Sequence, residues 1–399
     1  MKENKNQKSF STSETILLVL MASLVSYFIG HILVFDKDSK EVVRRDPYIA
    51  EFEKNYNYIM DNYYDKLDRQ DLINSAISGM LESLDDPYSL YINEDTKDNF
   101  NITLNGSYQG IGVQIIKDEE TGYVLITGVF KNSPASEAGL KAGDYIISAN
   151  DVKTKDIDAQ EFSKYVRESK EQEFNMHILR DGQELDIKLV RENVVIASVT
   201  SEVYERNDKK VGYIYIGIFA NNTDAQFKEE FNKLKEQGID SIIIDVRDNT
   251  GGHLAAVDNM LDLFIDKNHI KYQFYQNGIT TKIKGNSSNV EKCNIVLIGN
   301  ENSASASEVL IASLRENLGV KLIGKKTYGK GTVQELVNLS DGNQYKITVK
   351  KWLTPDGNWI NDTKGILPDI EVELDERYLE THDDNDDTQL QAAIEYLTK

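Results

Sequence analysis

Residues 240–252 read DSIIIDVRDNTGG, an apolar run that ends in a turn rich in asparagine and glycine. A short apolar run with β-branched residues, bounded by turn residues, is typical of a buried strand. Residues 294–300, NIVLIGN, repeat the pattern, and a segment with helical spacing follows each run. Strands that alternate with helices predict an α/β fold whose core is a mostly parallel sheet flanked by helices.

Two polar turns follow these strands, at residues 248–252 (DNTGG) and 301–307 (ENSASAS). Ligands bind at the carboxyl ends of the strands in such sheets, so we expect the two turns to share a site. A serine in the first turn of a helix lies beside backbone N–H groups that can stabilise a developing oxyanion. The pattern predicts a hydrolytic site, but it leaves open which of the three serines is the nucleophile.

The base that would activate such a serine is not an obvious histidine. His253, which follows Gly252, is the one histidine near the predicted site, and we assign it to the turn and helix start. A lysine can replace histidine where burial depresses its pKa. Lys330 lies between two glycines, and we interpret GKG as a flexible mount that turns the amine inward. Most lysines, however, are solvated surface groups.

A phosphate-binding loop is the rival interpretation of the same segment. Residues 324–331, GKKTYGKG, match the start of that motif. Gly331 then occupies the position where serine or threonine must bind magnesium, and residues with β propensity follow where a helix is required. The sequence therefore disfavours nucleotide binding.

Residues 302–334 resemble the active-site region of the C-terminal processing (tail-specific) serine peptidases. In that family the nucleophile lies 25 positions before the lysine of the GKG motif. The resemblance therefore implies Ser305 as nucleophile and Lys330 as base. It also implies that Gln334, in GKGTVQ, orients the lysine, which requires the chain to coil near Gly331.

A second segment, residues 245–254 (DVRDNTGGHL), is similar to the family motif D-L-R-x-N-P-G-G. In the family a glycine of this motif joins the N–H after the nucleophile in the oxyanion hole. The resemblance implies that Gly251 or Gly252 and Ala306 form this hole. Thr250 replaces the usual proline, which removes no donor.

Residues 106–192 have short strands, glycine turns and one helix. Within them, residues 108–115 (YQGIGVQI) and 129–150 resemble the PDZ modules of bacterial proteases. Glycines in the first segment would let backbone N–H groups converge on a peptide carboxylate. The alternative, purely structural interpretation is a glycine-rich hairpin that binds no ligand. The resemblance implies peptide binding by Gly110, Ile111, Gly112, Val113 and Arg167.

Composition and charge limit the possible partners and chemistry. The formal net charge of −21 argues against nucleic acid as a partner, because an acidic surface repels phosphates. Cys293 is the only cysteine, which excludes an internal disulfide and a cysteine-based zinc site. Its position before an apolar strand indicates a buried thiol. No metal or organic cofactor is expected.

Residues 15–35 contain no acidic residue, lysine or arginine. As a helix, such a segment would span about 32 Å, enough to cross a membrane. Lysines before it favour a cytoplasmic N-terminus. The predicted order is a cytoplasmic tail, a transmembrane anchor, an N-terminal helical region, a PDZ domain, a protease core, and an acidic tail with a C-terminal helix: residues 1–14, 15–35, 46–105, 106–192, 193–372 and 373–399.

These features predict a membrane-anchored serine endopeptidase with a Ser-Lys dyad that cleaves proteins near their C-termini outside the cytoplasm. Its expected partners are proteins or peptides with accessible C-termini, which the PDZ domain would recognise while gating the site. The resemblance also implies a homodimer through the terminal elements. The alternative is a catalytically silent PDZ scaffold that binds C-termini without cutting them.

Overall fold

The computed structural model describes residues 46–399. The predicted cytoplasmic tail and membrane span, residues 1–14 and 15–35, lie outside the described residues. Within the described part, no helix is both long enough and apolar enough to cross a membrane. The chain divides after Ala76 into two compact units, and the site described below belongs to the second.

The described chain contains helices and short strands. The helices are α1 (Pro47–Asn62), α2 (Arg69–Glu82), α3 (Glu94–Asn105), α4 (Pro134–Glu137), α5 (Ala159–Glu168), α6 (Thr223–Glu236), α7 (Leu254–Leu261), α8 (Ala306–Leu318), α9 (Ile360–Thr363), α10 (Glu376–Thr381) and α11 (Thr388–Thr398). The strands are β1 (Leu90–Ile92), β2 (Ser107–Gly110), β3 (Val113–Lys117), β4 (Val124–Val129), β5 (Tyr145–Ala149), β6 (Val152–Lys153), β7 (Glu173–Arg180), β8 (Gln183–Val190), β9 (Glu192–Val195), β10 (Val199–Arg206), β11 (Lys209–Ile216), β12 (Ser241–Asp245), β13 (Ile270–Gln276), β14 (Ile279–Lys284), β15 (Asn294–Gly299), β16 (Lys321–Gly324), β17 (Thr332–Asn338), β18 (Gln344–Leu353) and β19 (Ile370–Glu371).

The sheet that carries the site has the strand order β10-β11-β12-β15-β16-β19. Its neighbours are parallel except for β10 and β11. Successive side chains of a strand point to opposite faces. In β12, Ile242 and Ile244 therefore face a core shared with α6, α7 and α8, whereas Ile243 faces α11. Because helices cover both faces, every residue of β12 is buried.

The C-terminal helix α11 docks on this sheet through Leu390, Ala393 and Ile394, which are all buried. Its helical spacing predicts this apolar side but does not say whether the side packs on the same subunit or on a partner. The structure places it against the chain's own strands.

The prediction of a mostly parallel sheet holds for this sheet only, since the other sheets of the described chain are antiparallel. One joins β1, β18, β13 and β14, with β17 paired to β18. The β13–β14 turn, Asn277-Gly278, has φ of 50° and 81°, as type I′ hairpins require. The pairing of Leu90 with Lys346 joins distant segments, which no local pattern predicts.

The PDZ-like region is an antiparallel sheet in the order β3-β4-β5-β7-β8, with β6 paired to β5. Phe162 and Val166 of α5 are buried in its core and Tyr165 packs against it, as the spacing predicts. A capping box between Asp158 and Glu161 begins the helix. A groove remains between α5 and β3.

Candidate active site

The three serines around the start of α8 differ in what their side chains do. Ser303 and Ser307 are fully buried, and their hydroxyls donate to the carbonyls of Val246 (2.7 Å) and Asn249 (2.7 Å). Ser305 is partly exposed and has φ 57° and ψ −114°. Such backbone strain is rare for a residue with a side chain and clusters at active sites. These contacts support Ser305 as the candidate nucleophile.

The glycine turn after β12 packs against the start of α8. A β-carbon on Gly251 would lie 2.9 Å from the Ser305 β-carbon and 3.1 Å from the Ala306 nitrogen, so the approach requires glycine. The Gly251 N–H donates to the Asn249 side chain (2.9 Å). The Ala306 N–H opens α8, where the first N–H groups have no intrahelical acceptor. Gly251 and Ala306 thus lie beside Ser305. The Gly251 N–H already donates a hydrogen bond to Asn249.

A buried carboxylate joins the serine segment to the lysine segment. Glu308 is fully buried in α8, and its Oε2 accepts from the backbone N–H groups of Ser305 (2.8 Å) and Lys330 (2.9 Å). Its Oε1 accepts from the Thr327 hydroxyl (2.6 Å) and the Gly329 N–H (2.7 Å). The backbones of Ser305 and Lys330 are therefore held within two hydrogen-bond lengths of each other.

This role of Glu308 was not predicted from the sequence. The spacing S-x-x-E from Ser305 to Glu308 is the signature of a capping box, and it could have drawn attention to the side chain. The pKa of the Glu308 carboxyl is raised by burial, and its four hydrogen bonds offset only part of that rise. The contact with Lys330 could not have been predicted, because it depends on where a distant loop folds.

The backbone carbonyls of Lys330 and Gly331 are held by hydrogen bonds from two tryptophans. The Lys330 carbonyl accepts from the Trp352 indole N–H (2.9 Å), and the Gly331 carbonyl accepts from the Trp359 indole N–H (2.8 Å). The Gly331 N–H donates to the Asn361 side chain. A β-carbon on Gly331 would lie 2.5 Å from the Trp359 indole nitrogen. The bend attributed to GKG agrees with Gly329, whose φ of 98° favours glycine, and with the partly buried amine of Lys330. Gly331 is glycine for another reason, because side chains pack directly on its backbone.

The Lys330 amine is partly buried and lies over an aromatic ring. Its Nζ is 4.5 Å from the centroid of the Tyr88 ring. Burial lowers the pKa of Lys330 to about 8, assisted by the positive charge of Lys346, while Asp86 and Glu308 oppose the shift. A group with a pKa near the working pH suits general-base catalysis.

Gln334 does not contact the lysine in this structure. Its side-chain amide donates to the hydroxyls of Thr332 (2.9 Å) and Thr348 (3.0 Å). Within residues 46–399, Gln334 and Lys330 form no hydrogen bond. The β17–β18 register shifts after Val333, so the chain is irregular near the expected coil. The orienting role of Gln334 stays a prediction.

The groove beside α5 ends in a small pocket of about 30 Å³. Its lining includes four of the predicted peptide contacts, namely Gly110, Ile111, Val113 and Arg167. Gly112 does not line the pocket; a β-carbon there would lie 2.3 Å from Ser133, against which its turn packs. Arg167 donates to the Ser163 hydroxyl (2.9 Å). Peptide binding at this pocket stays a prediction.

The remaining candidate groups are His253, Cys293 and possible metal ligands. His253 is the N-cap residue of α7, in agreement with its assignment to the helix start. Cys293 is half-buried, and burial raises the pKa of its thiol to about 11. Among the described residues, no group of three or more His, Cys, Asp and Glu side chains could hold a metal ion.

Comparison with protein-family models gives three matches. Residues 210–372 match peptidase family S41, and residues 125–180 match the PDZ domain. Residues 33–96 match the N-terminal domain of the activating protease CtpB. The matched segments follow one another in the order expected from the resemblance in the sequence.

Curated relatives match over most of the chain. The carboxy-terminal processing protease CtpA of Bacillus subtilis is 35% identical over 362 residues, which cover 90% of this chain and 76% of CtpA. CtpB of the same organism is 35% identical over 331 residues, covering 82% of this chain and 68% of CtpB. Among solved structures, the photosystem II D1 C-terminal processing protease aligns with 81% of this chain and 86% of its own, at 26% identity and a TM-score of 0.47.

Proposed function

This chain belongs to peptidase family S41, among the carboxy-terminal processing serine proteases, and from that membership we propose that Ser305 and Lys330 form its catalytic dyad. The observation that carries the proposal is the shared Glu308 oxygen, which holds the backbones of these two residues together. A strained, partly exposed serine and a lysine of lowered pKa are then neighbours. This pair can perform nucleophilic catalysis without histidine.

In the proposed reaction the neutral Lys330 amine takes the proton of the Ser305 hydroxyl as Oγ attacks the scissile carbonyl. The resulting oxyanion accepts from the N–H groups of Ala306 and Gly252, since the Gly251 N–H is bound to Asn249. When the C–N bond breaks, the Lys330 ammonium gives its proton to the leaving amine. Water, activated by the same amine, then hydrolyses the acyl-enzyme.

To act as base, the Lys330 amine turns from the Tyr88 ring towards Ser305. Gln334 is the group that we propose holds the amine in that position: its side chain leaves Thr332 and Thr348, and its amide oxygen accepts a hydrogen bond from the Lys330 amine. The structure then corresponds to the enzyme before the base is aligned.

The substrates are proteins or peptides, as expected of a protease with a PDZ domain. We propose that the pocket formed by Gly110, Ile111, Val113 and Arg167 binds the substrate C-terminus as an added strand beside β3. Arg167, at the end of α5, would report occupancy of the pocket to the protease core. Cleavage would accordingly occur near the C-terminus.

We also propose a cellular location and an oligomeric state. The apolar run of residues 15–35 would anchor the protein in the cell membrane, with the catalytic part outside the cytoplasm. A homodimer through the terminal elements would follow the family resemblance.

The proposed activity is tested with the full-length chain and an unstructured protein that carries a C-terminal tag. We expect loss of the tag through cleavage near the C-terminus, mapped by mass spectrometry, at a rate that a chelator does not change. Blocking the substrate's terminal carboxylate as an amide should reduce cleavage. Binding without cleavage would instead identify a PDZ scaffold, and inhibition by chelator would point to a metalloprotease.

The rate of cleavage should rise with pH, because only the neutral Lys330 amine accepts the serine proton. The pKa of Lys330 is lowered to about 8, so its charged form predominates below that pH and its neutral form above it. We expect kcat to increase tenfold per pH unit below about pH 7 and to level off above about pH 9. A profile that is flat between pH 6 and 9 would contradict lysine as the base.

A further inference from the structure

We infer that Trp352 and Trp359 are positioning residues for the base, because their indole N–H groups donate to the carbonyls of Lys330 and of Gly331, the residue that follows it. The inference rests on the proposed function, since it presumes that Lys330 accepts the serine proton. Beyond that function, it identifies the side chains that position the backbone of Lys330.

The two tryptophans act on consecutive residues from separate elements. Trp352 belongs to β18 and is 1% exposed, and its indole reaches the Lys330 carbonyl while its own backbone N–H donates to the Gly331 carbonyl (3.0 Å). Trp359 precedes α9, and its indole donates to the same Gly331 carbonyl. The Gly331 carbonyl thus has two donors, which is the number that its lone pairs can accept.

The N–H side of the loop is held as firmly by Glu308, which accepts from the backbones of Gly329 and Lys330. The peptide plane between Lys330 and Gly331 is bonded at its carbonyl by Trp352 and at its N–H by Asn361, so it cannot rotate without leaving a polar group unpaired, which is costly. The side chain of Lys330 can therefore change rotamer between Tyr88 and Ser305 while its α-carbon stays in place.

Trp359 is itself held in position. The Lys351 Nζ lies 3.7 Å from the centroid of the Trp359 ring, a cation–π contact on the face of the indole. Its indole nitrogen approaches Gly331 so closely that a β-carbon there would lie 2.5 Å away. This arrangement uses the polar edge of the ring, which phenylalanine lacks.

The chain contains only two tryptophans, and both lie at this loop. Biosynthetic replacement of all tryptophan by 3-benzothienylalanine, which has sulfur in place of the indole N–H, would therefore change only these two positions. Ring size and packing are nearly retained, whereas both hydrogen bonds are lost. The full-length chain carrying the analogue would be compared with the unaltered chain.

We expect the analogue to lower kcat by at least about tenfold with little change in KM, because small displacements of a catalytic group are costly. The acid limb of the pH profile should also shift to higher pH. A less firmly held Lys330 amine gains access to water, so its pKa returns towards the ordinary value of lysine. Trp359→Phe, at the less buried of the two sites, should show part of both effects.

Phe231→Leu is the control, because Phe231 is a buried aromatic residue of the same core whose ring packs against Phe227 and Phe264. It should lower the thermal midpoint without moving the acid limb. The inference is wrong if the folded analogue chain and Trp359→Phe keep the unaltered kcat and acid limb, whatever happens to the midpoint. Failure of the proposed function is distinct, because the unaltered chain itself would then show a flat profile.

Discussion

Cleavage should fall by at least about 10³-fold when Ser305 is replaced by alanine, because the proposed reaction then has no nucleophile. Ser303→Ala is the matched control: it removes the same hydroxyl two residues away, where the group donates to Val246 instead of facing substrate. That control should lose about 1–3 kcal/mol of unfolding free energy from the broken buried hydrogen bond but keep the chemistry. Comparable cleavage rates in the wild-type and Ser305→Ala proteins would exclude Ser305 as the nucleophile.

The companion replacements concern the base. Lys330→Met keeps an unbranched side chain one atom shorter and without an amine, and it should reduce cleavage as much as Ser305→Ala does. Lys330→Arg retains a positive charge but cannot release a proton at the assay pH, so it should be equally inactive. Substantial activity in Lys330→Arg would show that the site needs a charge at this position and not a proton acceptor.

The position of the candidate site could be predicted from the sequence because its main parts are local. A buried strand followed by a polar turn occurs at β12 and again at β15, and parallel strands bring their carboxyl ends to one edge. The choice of Ser305 among three serines was not local; it came from the family spacing to Lys330. The structure adds a physical reason, since the other two hydroxyls are buried and bonded.

The surroundings of Lys330 could not be predicted, because they come from three separate parts of the chain. Tyr88 supplies the ring over the amine, Glu308 the acceptor for the backbone, and Trp352 and Trp359 the donors. No periodicity relates these residues. The antiparallel sheet that contains β1 and β18 could not be predicted for the same reason, because these two paired strands are far apart in sequence.

The role of GKG shows how local chemistry can mislead. Glycine has conformational freedom, so flanking glycines indicate flexibility when only the sequence is considered. In the fold, the Gly331 nitrogen and oxygen are both hydrogen-bonded, and its α-carbon lies against Trp359. The absence of a side chain at Gly331 permits this close packing, whereas Gly329, with φ of 98°, uses the conformational freedom of glycine.

Arg247→Met should give the largest loss of stability, about 3–5 kcal/mol of unfolding free energy. Arg247 lies between two buried carboxylates, Asp245 at 0% and Asp387 at 1% exposure. Its guanidinium donates to both Asp387 oxygens (3.0 and 2.8 Å) and to Gln389 (3.1 Å). Without the arginine, two carboxylates face each other in the core without a countercharge, and urea denaturation followed by circular dichroism would measure the cost.

The same change should weaken cleavage, because Arg247 connects the start of α11 to the turn that leads to Gly252, the proposed oxyanion donor. Asp387 also caps α11 by accepting from two of its backbone N–H groups, so loss of its partner should expose the amides of this helix to hydrogen exchange. Arg377→Met is the matched control, since Arg377 pairs with Asp375 at the surface, where solvent screens the interaction. Equal effects of the two replacements on stability and on exchange in α11 would show that the buried ions do not tie the C-terminal helix to the site.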